Sequence, residues 1–85
     1  MRLRLEFTTE PFDLDVLPEH AAVARDVIGS AALEKVDVGP FGNTAEGSAD
    51  QVVDAVGDLL RRTLDAGATR VSLQISVIGH GAADR

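Results

Sequence analysis

The sequence predicts an α+β fold, with one four-stranded antiparallel sheet and two helices on one of its faces. Two observations carry that prediction. Segments with an apolar period of two and segments with a helical period follow one another as strand, helix, strand, strand, helix, strand. The chain has 85 residues, of which 45% are hydrophobic and 26% charged. That is the composition of one small globular domain with a thin core. The domain is expected over residues 1–78, and residues 79–85 as a flexible tail without periodicity.

In the first strand Leu3, Leu5 and Phe7 alternate with Arg2, Arg4 and Glu6, the pattern of a half-buried strand. "TEPFDLD" leads the chain away, with Asp15 as the expected helix cap and Pro18 in the first turn, where a missing N–H is harmless. Val16, His20, Val23, Ala24, Val27 and Ile28 then recur at helical spacing, and Gly29 lies near the helix end. "LEKVDV" reads as the second strand, with Val36 and Val38 on one face and Lys35 and Asp37 on the other.

The glycine-rich "VGPFGNTAEG" comes next, and its "NTAEG" part reads as a short third strand. Ser48 and Gln51 make a capping box at the start of the second helix. Its apolar stripe is Val52, Val53, Val56, Leu59, Leu60 and Leu64, and Gly67 stands at its stop. "RVSLQISV" is the clearest strand, with Val71, Leu73, Ile75 and Val77 on one face and Ser72, Gln74 and Ser76 on the other. The order β–α–β–β–α–β is the ferredoxin-like pattern, which leaves one sheet face bare. Here the bare face would carry Arg4, Glu6, Ser72, Gln74 and Ser76.

Several function classes lack their parts. With no cysteine there is neither a disulfide nor a thiol nucleophile. The histidines, His20 and His80, are far apart and form no metal-ligand spacing. His20 is expected as a packed or half-exposed residue rather than a ligand, and His80 as a tail residue in solvent. The glycine-rich segment has no Gly-Lys-Ser/Thr ending and so is no phosphate loop. A net charge of −6 and only three aromatic residues, all Phe, argue against nucleic acid as a partner. No apolar run approaches the roughly 20 residues that cross a bilayer, so no membrane partner is expected. The N-terminus interleaves its arginines with apolar residues, unlike a signal peptide, and the expected location is cytoplasmic. A non-enzymatic binding or assembly module remains, with no catalytic residue, metal or cofactor.

"VGPFGNTAEGSADQVVDAV" followed by "AGATRVSLQISV" resembles the YkoF-like thiamine-binding domain family. That family carries a Gly-Thr-Thr-x-Glu-Gly-type turn before the second helix and an ending of the type Gly-x-x-Arg-Val-Ser. The resemblance covers the last half of the chain, and "LRLEFTTEPF" more loosely. It implies a ferredoxin-like fold, assembly through the sheets as a homodimer or homotetramer, and binding of thiamine or its hydroxymethylpyrimidine part. Asn43 stands where the motif commonly has threonine, Ala45 fills its variable position, and Phe41 replaces a common methionine.

On that reading the ligand-binding residues are Glu46 and Thr44, with Asn43, Gln74 and Ser72 beside them and Phe41 as a cover for the ring. The residues themselves leave two alternatives open. On a central third strand Thr44 and Glu46 share one face, where Glu46 either contacts a ligand or pairs with Arg4 as a fold-stabilising bridge. The bare face either binds a small molecule or serves only as the assembly surface of an oligomeric regulatory domain.

Overall fold

In a computed structural model, which describes residues 1–13, 15–39 and 42–79, β1 (Arg2–Glu10), α1 (Glu19–Ser30), β2 (Glu34–Val38), β3 (Asn43–Ser48), α2 (Ala49–Asp65) and β4 (Arg70–Gly79) follow in order. The four strands form one sheet in the order β2-β3-β1-β4. All neighbouring strands are antiparallel. This is the ferredoxin-like α+β fold that the alternation of periods predicts.

The core lies between the sheet and the helices. Leu3, Leu5 and Phe7 of β1 and Ala45 of β3 face Ala24, Val27 and Ile28 of α1 and Val52 and Leu59 of α2. Leu5, Ile28, Val52 and Leu59 are almost wholly buried. Burial of such a side chain stabilises the fold by about 1.5–3 kcal/mol. Gly47 packs closely, because a Cβ there would lie 2.8 Å from Leu33 Cδ2 and the leucine side chain would have to shift.

α2 starts at the expected capping box, in which Ser48 Oγ accepts from the Gln51 amide and Gln51 Oε1 accepts from the Ser48 amide. Gly67, at φ +105°, turns the chain just past its end. α1 begins differently. Its N-cap is Pro18, without a side-chain cap, and Asp15 does not cap it. Asp13 organises the preceding turn instead, its Oδ1 accepting from the amides of Asp15 and Val16. Val16 therefore precedes the helix and is exposed.

Three apolar groups depart from their expected burial. β2 is exposed along its whole length, since Lys35 at φ +49° interrupts the strand and shifts its register against β3. A β-bulge of this kind breaks the alternation of Val36 and Val38 with Lys35 and Asp37. On α2, Val53 and Leu64 are exposed because Val52, Ala55, Leu59 and Thr63 form the buried stripe. Ile75 and Val77 lie opposite Leu5 and Leu3, yet 45% and 54% of their surface is exposed. The helices pack mainly over β1 and β3 and leave this part of β4 uncovered.

Candidate functional site

The register assembles the open face. Arg4 sits between Glu46 of β3 and Ser76 of β4, Glu6 between Thr44 and Gln74, and Thr8 beside Ser72. Successive side chains alternate between faces, so these residues stand opposite the core. Ser72 and Gln74 are exposed and covered by no helix.

One end of this face is closed by charge. Arg4 donates to Glu46 Oε2 through Nε at 3.1 Å and Nη2 at 3.0 Å. The bulge on β2 brings Lys35 Nζ within 3.7 Å of Glu46 Oε1. Arg2 pairs with Glu34 alongside. The Glu46 residue is only 8% exposed. The hydrogen bond from Arg4 is the main reason that its carboxyl is held below the ordinary glutamate range. Burial opposes this, while the charges of Lys35, Arg4 and Arg2 reinforce it. Both oxygens of Glu46 thus already face cations.

The other end is open. A cleft of about 320 Å³ is lined by Glu6, Thr8, Asn43, Thr44, Ser72 and Gln74, with Phe7, Gly42 and Leu73 at its floor and rim. Asn43 donates from Nδ2 to the Phe7 carbonyl at 3.4 Å, which ties the end of β3 to β1. Among the described residues Glu6, Thr44, Ser72 and Gln74 have no side-chain hydrogen bond or ion pair. The cleft therefore offers one unpaired carboxylate with a hydroxyl on one side and an amide on the other.

Of the residues singled out in the sequence, Asn43, Thr44, Ser72 and Gln74 gather in this cleft. Glu46 lies on the same face, two residues along β3, but in the charge cluster. Phe41 lies outside the described residues, as does His80. Glu6 is expected on the bare face but not as a ligand-binding residue, and Thr8 is not among the expected residues. The signal for them is the strand period, which puts both on the bare face.

A smaller cavity of about 60 Å³ lies on the helix side, bounded by Thr9, Phe12, Leu17, His20 and Asn43 among others. It is well below the roughly 300 Å³ of ordinary ligand pockets. His20 is buried beside it, with Nδ1 2.9 Å from Thr9 Oγ1 and Nε2 2.9 Å from the Pro11 carbonyl. A carbonyl only accepts, so Nε2 carries the proton, and in the neutral ring the Thr9 hydroxyl donates to Nδ1. His20 thus fastens the β1–α1 connection to the helix and is the packed one of the two alternatives expected of it. Among the described residues no group of three or more His, Cys, Asp or Glu side chains is placed to hold a metal ion. Among the described residues no helix is long and apolar enough to cross a membrane.

No protein-family model matches the chain, and no curated protein matches it. Solved structures do. A domain of unknown function DUF77 from Bacillus cereus superimposes with a TM-score of 0.67 at 22% identity, over 95% of this chain and 78% of that one. A hypothetical protein from Methanocaldococcus jannascii gives 0.67 at 18% identity, over 95% and 82%. A protein from Thermotoga maritima, provisionally named for thiamine biosynthesis/salvage, gives 0.65 at 27% identity, over 89% of this chain and 81% of that one. The fold is shared across all three.

Proposed function

We propose that this chain is a non-enzymatic binding protein for thiamine or a related pyrimidine, a carrier or sensor of the YkoF-like and DUF77-like kind. The observation that carries the proposal is the open cleft, in which Glu6, Thr44, Ser72 and Gln74 converge without partners of their own. Two further supports are the sequence resemblance and the likeness to the Thermotoga maritima protein named for thiamine biosynthesis/salvage.

An aminopyrimidine presents an exocyclic amino donor beside ring-nitrogen acceptors. Glu6 would accept from the amino group, while the Thr44 hydroxyl and the Gln74 amide would donate to the ring nitrogens. Ser72 and Asn43 would complete the rim. A volume of about 320 Å³ is at the lower end for small-molecule sites and suits one ring better than a large cofactor. The thiazolium cation of thiamine would also meet a chain of net charge −6. In this scheme Glu46 holds the sheet face in shape while Glu6 reads the ligand. The role needs no metal or cofactor and no catalytic residue, and its expected setting is the cytoplasm.

Thermal denaturation with and without thiamine tests the proposal. Ligand at ~100 times its dissociation constant adds about 2.7 kcal/mol of stability. For so small a domain that raises the melting temperature by roughly 10 °C or more. An unchanged melting temperature with either thiamine or hydroxymethylpyrimidine at millimolar concentration would contradict it.

A further inference from the structure

We infer that the open face carries a phosphate subsite beside the cleft, at Arg4 and Lys35, and that the ligand is therefore a phosphate monoester. This subsite rests on the ligand cleft proposed above and extends it along the strands.

Charges are sorted along the face. Residues directly opposed on antiparallel strands project from the same side of the sheet. Glu34 opposes Glu46 and Asp37 opposes Thr44, so both acids of β2 stand on the open face. Around Thr44 the charged side chains are Glu6 and Asp37, both exposed acids. Farther along, Glu10 and Arg70 pair with each other. At the Glu46 end, Arg2, Arg4 and Lys35 meet Glu34 and Glu46, so cations outnumber anions there. In a chain of net charge −6 that local excess runs against the whole.

The ion pairs also leave donors to spare. A guanidinium has five N–H donors, and Arg4 spends two of its own on Glu46 Oε2. Lys35 Nζ lies 3.7 Å from Glu46 Oε1, an ion pair too long for a hydrogen bond, so its N–H groups remain available. The side chains of Arg4 and Lys35 are 46% and 77% exposed. Glu46, almost buried, fixes the guanidinium in place, and an oriented arginine suits phosphate oxygens. On the other side of Arg4 stands the half-buried Ser76, whose hydroxyl can donate as well.

The spacing joins the two parts. Arg4 and Glu6 are two residues apart on β1, which is about 7 Å along a strand. A ring with its amino group at Glu6 can send an ester arm over that gap, and the long Arg4 and Lys35 side chains close the remainder. Acid at one end and base at the other select a ligand that is amino-bearing or cationic at one end and anionic at the other. The arm could come from the pyrimidine's hydroxymethyl group or from the thiazolium alcohol of thiamine. Both give the same phosphate monoester chemistry.

Calorimetric titration of thiamine against thiamine monophosphate, and of hydroxymethylpyrimidine against its phosphate, tests the subsite. At least one ester should bind roughly tenfold or more tightly than its alcohol, and which one does so identifies the arm. That ratio should shrink toward unity in Lys35→Gln, and in the wild type at ~1 M salt, where exposed charges are screened. In the wild type the Arg4 Nε–H resonance should shift with the ester and stay in place with the alcohol, a reading that holds even if the variant fails to fold. Alcohols that bind while neither ester binds more tightly would overturn the subsite and leave the cleft reading standing. If none of the compounds binds, both fall. An ester whose advantage survives Lys35→Gln and leaves the Arg4 resonance unmoved has its phosphate elsewhere, which also overturns the subsite.

Discussion

Two carboxylates on the same sheet face, two residues apart in register, have opposite surroundings. Glu46 sits between Arg4 and Lys35 with little exposed surface, and both of its oxygens are engaged. Glu6, two residues along β1 from Arg4 on the same face, is exposed and free of partners among the described residues. The cause is local backbone geometry. The β1–β3 register sets Arg4 against Glu46, and the bulge in β2 swings Lys35 over the same carboxylate. No cation is set opposite Glu6, which instead faces Thr44 and Gln74. A satisfied charge cluster stabilises shape, and an unsatisfied polar group at a cleft is available to a ligand.

The contrast can be broken first at Glu46, where the largest loss of stability on this face is expected. Glu46→Gln leaves Arg4 and Lys35 facing a neutral amide, so the folded state loses its charge cluster. The sign of the pH dependence follows from the lowered pKa of Glu46. The folded carboxyl titrates below the unfolded one, so its stabilisation is complete above the ordinary glutamate value of about 4.3. It is lost as the pH falls through the lower folded value. Urea denaturation of wild type and Glu46→Gln between about pH 6 and 3 should show two curves that converge on acidification. Curves that stay parallel would mean that the pair contributes nothing to stability.

A smaller effect is expected at Thr44. Thr44→Val keeps the β-branched shape and removes one neutral hydrogen bond, which is worth about 0.5–1.5 kcal/mol. Thiamine affinity should fall by roughly two- to tenfold, with the melting temperature of the free protein almost unchanged. An unaltered affinity would remove Thr44 from the site.

The sequence made some of this legible because each element there is decided locally. The alternation of Leu3, Leu5 and Phe7 with charged residues fixes which face of β1 is buried, and Ser48, Gln51 and Gly67 bound α2 by their own hydrogen bonds and backbone angles. Periodicity also put Thr44, Ser72 and Gln74 on the open face, where the cleft brings them together. What it left unread depends on distant packing. The bulge at Lys35 overrides the alternation of β2, and the turn held by Asp13 moves the start of α1 to Pro18. Val53 and Leu64 look like core residues and are exposed because the buried stripe of α2 runs through Val52, Ala55, Leu59 and Thr63, and Ile75 is exposed because the helices leave this part of β4 uncovered. Which of two glutamates finds a cation is likewise a matter of register. The glycine-rich motif directs attention to Glu46, whereas the unpaired carboxylate is Glu6.

The most direct test of the account is calorimetric titration of thiamine into the wild type, Glu6→Gln and Glu46→Gln, at a pH near neutrality and with each variant verified as folded. A hydrogen bond to a charged group is worth about 1.5–3 kcal/mol. The account predicts that Glu6→Gln weakens binding by roughly tenfold or more, while Glu46→Gln changes it little and lowers stability instead. Wild-type affinity in folded Glu6→Gln, or a loss of binding confined to Glu46→Gln, would contradict it.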